Sequence, residues 1–114
     1  MGLFKDGYDQ LVTELKTITG LPVVNDPRLI NPPCALLEAP TIEMPTSVIA
    51  AMDFRLVIIG VGAGDNRTMD QLLDIADLVR AAEIGLTAAR PTTVTYAGLD
   101  YAAYELNIRT KVSP

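Results

Sequence analysis

Histidine is absent from this chain of 114 residues, cysteine occurs once and serine only twice. Histidine is the side chain that most often serves as a general base or metal ligand near neutral pH. A single cysteine has no disulfide partner within the chain, which is typical of a protein made in a reducing compartment. These absences leave few routes to hydrolytic or metal-dependent chemistry, so we predict a protein that is not an enzyme and has no catalytic, metal-binding or cofactor-binding residue.

Concentrated positive charge and long apolar runs are also missing. The nine basic residues are scattered and the net charge is −5, which argues against tight or sequence-specific binding of DNA. No apolar run approaches the roughly 18 residues that a membrane span requires. The first ten residues contain Asp6 and Asp9 and resemble no signal peptide. We therefore expect a single domain over 1–114 that is made in the cytoplasm without a membrane partner.

Two amphipathic helices are predicted from the spacing of apolar residues. The first spans Leu3 to Ile18 and ends before Gly20 and Pro22, which are helix-stop signals. The second spans Thr68 to Glu83, where Thr68 and Gln71 have the spacing of a capping box. The predicted buried faces consist of Phe4, Tyr8, Leu11, Leu15 and Ile18 in the first helix and Leu72, Ile75, Ala76, Val79 and Ala82 in the second.

Four or five strands are predicted, which makes the fold class α+β, with a mixed or antiparallel sheet and two helices packed on it. Prolines bound two short edge strands, Val23–Val24 and Cys34–Glu38. Residues 39–50 are predicted to protrude as a loop or arm. The segment from Met52 to Val61 is apolar on both faces, as a central strand is. Strands at Thr92–Tyr96 and Tyr101–Val112 should form a hairpin.

Three features have the residue types of functional sites. The loop Gly60–Asp65 lies between a strand and a helix, as a nucleotide-binding loop does, but it places Asp65 where phosphate would bind. A flexible turn is the simpler interpretation. Asp70, Asp74 and Asp77 share one helix face and are most simply a solvated surface. Cys34 lies in an apolar strand without a base, which favours a buried, unreactive thiol.

The order of these elements resembles that of the tail terminator proteins of long-tailed bacteriophages, particularly those of actinobacteria. A first helix leads to the proline-bounded strand Asn31–Glu38, and a protruding segment then precedes the apolar strand Phe54–Val61. A turn, a helix and a closing hairpin with Thr93–Gly98 and Tyr101–Tyr104 follow. The resemblance covers nearly the whole chain and rests on element order and apolar pattern, without a diagnostic signature.

The resemblance implies a structural protein of the virion that forms a ring, commonly a hexamer, at the head-proximal end of the tail tube. Such a ring ends tail polymerisation, contacts the tube protein and the head-tail connector or stopper, and lets DNA pass through its lumen without specific binding. Another neck protein, such as a head-tail stopper or tail-completion protein, remains an alternative. Outside the virion, the alternatives are a generic α+β interaction module and a small enzyme or ligand-binding domain that uses Gly60–Asp65.

Overall fold

The structure, a computed structural model, describes residues 2–26, 28, 30–46, 49–61 and 66–112. Its fold is α+β, as predicted, and the described residues form two helices and one sheet of six strands, where four or five were predicted. In chain order the elements are α1 Leu3–Thr19, β1 Val23–Val24, β2 Cys34–Leu37, β3 Thr41–Glu43, β4 Ala50–Ile59, α2 Asn66–Ala81, β5 Leu86–Tyr96 and β6 Leu99–Val112.

Strand β4 is the centre of the sheet. The strand order is β1-β2-β4-β6-β5, and β3 lies beside β4 on the same side as β2. The β1–β2 pair is parallel and all other pairs are antiparallel. Strand β4 pairs with β6 along its whole length, from Ala50 opposite Val112 to Ile59 opposite Ala103. This strand carries the apolar run that the sequence placed at Met52–Val61, although it begins and ends two residues earlier.

Both helices pack on one face of the sheet and enclose the main core. Leu11 and Leu15 of α1 are buried, and α1 ends where Gly20 adopts a left-handed conformation and donates its N–H to the Lys16 carbonyl at 3.1 Å. The predicted capping box is wrong, because α2 begins at Asn66 and therefore places Thr68 inside the helix. The core consists of Leu11, Leu15, Ala35, Leu37, Met52, Phe54, Leu56, Ile58, Leu72, Val79, Leu106 and Ile108.

A second, smaller apolar cluster covers part of the opposite face. It consists of Ile30, Cys34, Leu36, Val57, Ile59 and Ala103. The central strand is therefore buried on both faces toward its carboxyl end, as predicted, and Ile30 of the same chain supplies part of the second cover. Toward the other end of β4, the same face carries charged side chains instead, beginning with Asp53 and Arg55.

The segment 39–50, which the sequence predicted as a protruding arm, contributes a strand to the sheet. Thr41, Ile42 and Glu43 pair with Asp53, Met52 and Ala51. All three residues of β3 remain exposed to solvent. Residues 47 and 48 of this segment lie outside the described residues. This part of the segment thus follows the sheet edge, because Thr41 and Ile42 have the β-branched character that a strand favours.

The β5–β6 hairpin extends beyond the end of β4. Strand β4 pairs with β6 only from Ala103 onward, whereas β5 remains paired with β6 as far as Tyr96 opposite Leu99. Residues 93–102 therefore form a two-stranded ribbon beyond the sheet. At its tip, Ala97 and Gly98 have φ values of 55° and 80°, as the central residues of a type I′ turn do.

Candidate assembly surface

Charged side chains alternate in sign across the sheet face opposite the helices. The first group is centred on Arg55 of β4. Its guanidinium donates to Glu38, which follows β2, and forms an ion pair with Glu105 of β6, with 2.9 Å between Nε and Oε1. The arrangement follows from the register, because β4 lies between the strands that carry the two carboxylates. One arginine thus links three strands at the surface.

A second arginine repeats this arrangement near the other end of the face. Arg109 of β6 lies directly opposite Asp53 of β4 and pairs with it at 2.9 Å, and its Nη2 lies 3.3 Å from Glu43 of β3. The Arg109 and Asp53 side chains are 42% and 38% exposed. Ion pairs this exposed contribute little to the stability of a single chain. They do give the face a fixed pattern of charge, which a partner can recognise.

The first group makes stability depend on pH. The Arg55 guanidinium hydrogen-bonds to Glu105 and lowers the pKa of that carboxyl from its ordinary value of 4.5. A lowered pKa in the folded state stabilises the fold above pH 4.5, and this gain is lost as the pH falls through the lowered pKa. We expect Glu105→Gln to lower the melting temperature at neutral pH and to lose this difference in acid. Melting curves from pH 7 to pH 2 measure it, with Glu14→Gln as the control. An equal difference at every pH would contradict the assignment.

An apolar groove of about 390 Å³ lies between the start of α1 and strand β3. Phe4, Tyr8, Pro40, Ile42 and Met52 are among the residues that line it. Phe4 and Ile42 are both 39% exposed. Large apolar side chains that are partly exposed together mark a contact surface more often than isolated ones do.

Further exposed apolar side chains lie on the second helix and on the hairpin. Met69, Leu73 and Leu78 of α2 are 43%, 43% and 49% exposed, and Leu99 at the hairpin tip is 60% exposed. Met69 and Leu73 are one helical turn apart and share a side of α2. Exposed large apolar side chains thus occur on α1, β3, α2 and the hairpin tip.

The loop Gly60–Asp65 lies mainly outside the described residues, since 62–65 are not described. Gly60 itself is described and has a packing role. Its N–H donates to the Ala102 carbonyl at 2.9 Å, and a Cβ at this position would lie 2.5 Å from Thr68 Cγ2. Close approach of the strand end to α2 therefore accounts for glycine here without a phosphate ligand.

We expect Gly60→Ala to destabilise the fold by about 2 kcal/mol, because the added methyl group overlaps Thr68. Thr68→Ser removes the obstructing methyl group and keeps the hydroxyl, so the double variant should recover most of the loss. Urea denaturation of the wild type, both single variants and the double variant measures this coupling. A Gly60→Ala protein as stable as the wild type would show that the two elements separate easily.

Cys34 is a free thiol with 1% of its surface exposed, and burial raises its pKa. A buried, protonated thiol is a poor nucleophile. We expect Ellman's reagent to modify Cys34 only after denaturation in urea. The double variant Lys16→Cys/Cys34→Ala, with a thiol at an exposed position of α1, is the control and should react at once. Rapid reaction of native Cys34 would contradict its burial.

The three aspartates of α2 are exposed, and Asp77 accepts a hydrogen bond from Arg80 at 2.7 Å. Among the described residues, no three histidine, cysteine, aspartate or glutamate side chains come together as a metal site would need. Their placement fits the solvated surface that the sequence indicated.

Sequence reasoning identified the polar side of β6 but missed the arginine-centred groups. The signal was present in Asp53 and Arg55, two charged residues inside an otherwise apolar strand. Their alternation with Phe54 places both on one face. The identity of their partners required the register of three other strands.

Comparisons with protein-family models, with curated proteins and with solved structures find no match to this chain. Neither helix in the described part of the chain is long and apolar enough to cross a membrane.

Proposed function

We propose that this chain is a structural protein of a bacteriophage virion that forms a ring at the head-proximal end of the tail tube. The ring, most simply a hexamer, ends tail polymerisation and joins the tail to the head connector. Support comes from the resemblance of Asn31–Glu38, Phe54–Val61 and the closing hairpin to tail terminator proteins. It also comes from the exposed surfaces, which are those of a subunit with several neighbours.

The projecting hairpin is the observation that carries this proposal. A two-stranded ribbon without further cover is only marginally stable in water. Residues 93–102 form a two-stranded ribbon beyond β4 that is covered only in part, because Val94, Tyr96 and Tyr101 pack partly against the smaller apolar cluster and the tip exposes Leu99. A neighbouring subunit, the tube protein or the connector would complete this cover. A ribbon with incomplete cover of its own is therefore most useful in an assembly.

The charge of the chain suits a channel for DNA. Six subunits with a net charge of −5 each repel the phosphate backbone, so DNA passes through the lumen without stable contacts. The two arginine-centred groups do not make the sheet face basic, because each arginine is paired with two carboxylates.

Gold-tagged antibody on intact particles of the parent phage, viewed by electron microscopy, tests the location. The expected result is label at the head–tail junction. Label elsewhere, on tails whose epitopes are shown to be accessible, would contradict the proposal and favour a generic interaction module.

Deletion of the gene separates a terminator from another neck protein. If the ring ends polymerisation, infected cells without it should contain unattached tubes longer than the normal tail. Tubes of normal length that fail to join heads would contradict the terminator role and support a stopper or tail-completion protein. Supplying the wild-type gene from a plasmid is the control and should restore normal tails.

A further inference from the structure

We propose that copies of this chain associate edge to edge, with β5 of one subunit against the opposite sheet edge, residues 38–43, of the next. The sheet would then continue from subunit to subunit. This inference rests on the proposed ring and specifies how its subunits meet. The two edges are called here the basic edge, Leu86–Tyr96, and the acidic edge, residues 38–43.

The basic edge is long and uncovered. Strand β5 has eleven residues, none of them buried, and among the described residues only β6 pairs with it. Arg90 is its one charged residue. Proteins protect open edges with charge, proline and bulges. Here Arg90, Pro91 and a register shift between Leu86 and Ala88 all lie in the first part of the strand. The rest, Thr92–Tyr96, is uncharged, rich in β-branched residues and free to accept another strand.

The acidic edge is uncovered as well. Strand β1 pairs with β2 only at Ala35 and Leu36, and no strand in the described part of the chain lies outside 37–43. This edge carries Glu38 and Glu43, whose side chains are 38% and 60% exposed. Each carboxylate accepts a hydrogen bond from an arginine of its own chain and retains lone pairs for a second donor.

Arg90 and the two glutamates lie on the same face of the sheet. Arg90 is opposite Glu105, and Glu105 is opposite Val57. Glu43 is opposite Ala51. Ala51 and Val57 are six residues apart on β4, and side chains alternate between the two faces with a period of two, so Glu43 and Arg90 lie on the same face. In a sheet that continues across subunits, Arg90 therefore points to the side where Glu38 and Glu43 of the partner subunit lie. Opposite charges on neighbouring strands stabilise the pairing.

A dimer in which the β5 strands of two copies pair with each other is disfavoured. The middle residue of β5 is Pro91, so antiparallel pairing of two β5 strands in full register brings Arg90 diagonally close to Arg90 of the partner subunit. Like charges at that spacing repel. Pairing of the basic edge with the acidic edge uses two different surfaces, and such head-to-tail contacts form a ring when the rotation between successive subunits closes.

Charge reversal tests the contact on the full-length protein. We expect Arg90→Glu alone and Glu43→Lys alone each to weaken self-association by roughly tenfold, measured by analytical ultracentrifugation at low salt. The double variant restores opposite charges and should return to within roughly threefold of the wild type. Arg67→Glu, an exposed reversal on α2, is the control and should associate like the wild type. Circular dichroism establishes that every variant is folded.

The outcomes separate the edge contact from the ring. Loss in both single variants with recovery in the double variant supports the contact, and a structural role of either residue would not produce that recovery. Rings in negative-stain images of the wild type, with single variants that associate equally well, would overturn the edge contact and leave the ring intact. Loss of association in the single variants without recovery in the double variant would also overturn the edge contact. So would a wild-type chain that stays monomeric at millimolar concentration. Antibody labelling at the head–tail junction tests the virion role independently.

Discussion

Replacing Gly85 with alanine is expected to destabilise the protein by about 4 kcal/mol, which is a large part of the stability of a domain this size. Gly85 has a φ of 104°, a conformation that side chains rarely adopt. A Cβ here would lie 2.1 Å from the backbone oxygen of Arg109. Backbone cannot swing aside as a flexible side chain can, so the turn before β5 must move.

The same substitution should affect assembly, because Gly85 holds the start of β5 against β6. The Arg109 N–H donates to the Gly85 carbonyl at 2.9 Å. Displacing this turn disturbs the strand that we propose as the basic edge. Urea denaturation measures the loss of stability, and ultracentrifugation in the absence of urea measures the loss of association.

Gly98→Ala is the matched control. Gly98 also has a positive φ, of 80°, but a Cβ there meets no atom within 4 Å. Its cost is therefore conformational alone, about 1 kcal/mol. Equal losses at Gly85 and Gly98 would mean that backbone conformation, and not the approach of Arg109, determines the effect.

Replacing Phe54 with alanine is expected to cost about 4 kcal/mol, within the range for large buried aromatic side chains. Phe54 is 1% exposed on the helix face of β4. Its ring lies 6.1 Å from the ring of Tyr8, measured between centroids. It therefore joins α1 to the centre of the sheet, and its removal leaves a cavity that a rigid sheet cannot close.

Phe4→Ala is the control for this substitution, because it is the other phenylalanine of the chain and lies on the same helix as Tyr8. Phe4 is 39% exposed, so its loss should cost about 1 kcal/mol or less. Urea denaturation of both variants gives the comparison. A Phe54→Ala protein no less stable than Phe4→Ala would mean that α1 contributes little to the core.

The sequence predicted the elements best where their periodicity was strong. The apolar spacing in α1 and the alternation in β6 both correspond to the observed faces, with Leu11, Leu15, Leu106 and Ile108 buried. Local signals were weaker guides. The Thr68–Gln71 spacing suggested a helix start, but α2 begins at Asn66, because most of the stability of a helix in a protein comes from the packing of its apolar face.

The candidate surface was predicted only in part. Alternation places Glu105, Asn107, Arg109 and Lys111 on one side of β6, and Arg109 does lie on the charged face. The sequence could not show that Glu38, Arg55 and Glu105 form one group, because they lie on three chain segments far apart in sequence. Strand order and register bring them together, and neither follows from local pattern.

Apolar periodicity was enough to predict the α+β class, the two amphipathic helices and the doubly apolar central strand, because each depends on the period of apolar residues along the chain. Long-range strand pairing, which no local pattern reveals, makes part of 39–50 join the sheet as β3, extends the β5–β6 hairpin beyond β4, and lets two arginines link carboxylates across the sheet. These features depend on contacts between distant segments. The free energy of these contacts depends on the register of the strands, which is set when the whole core packs.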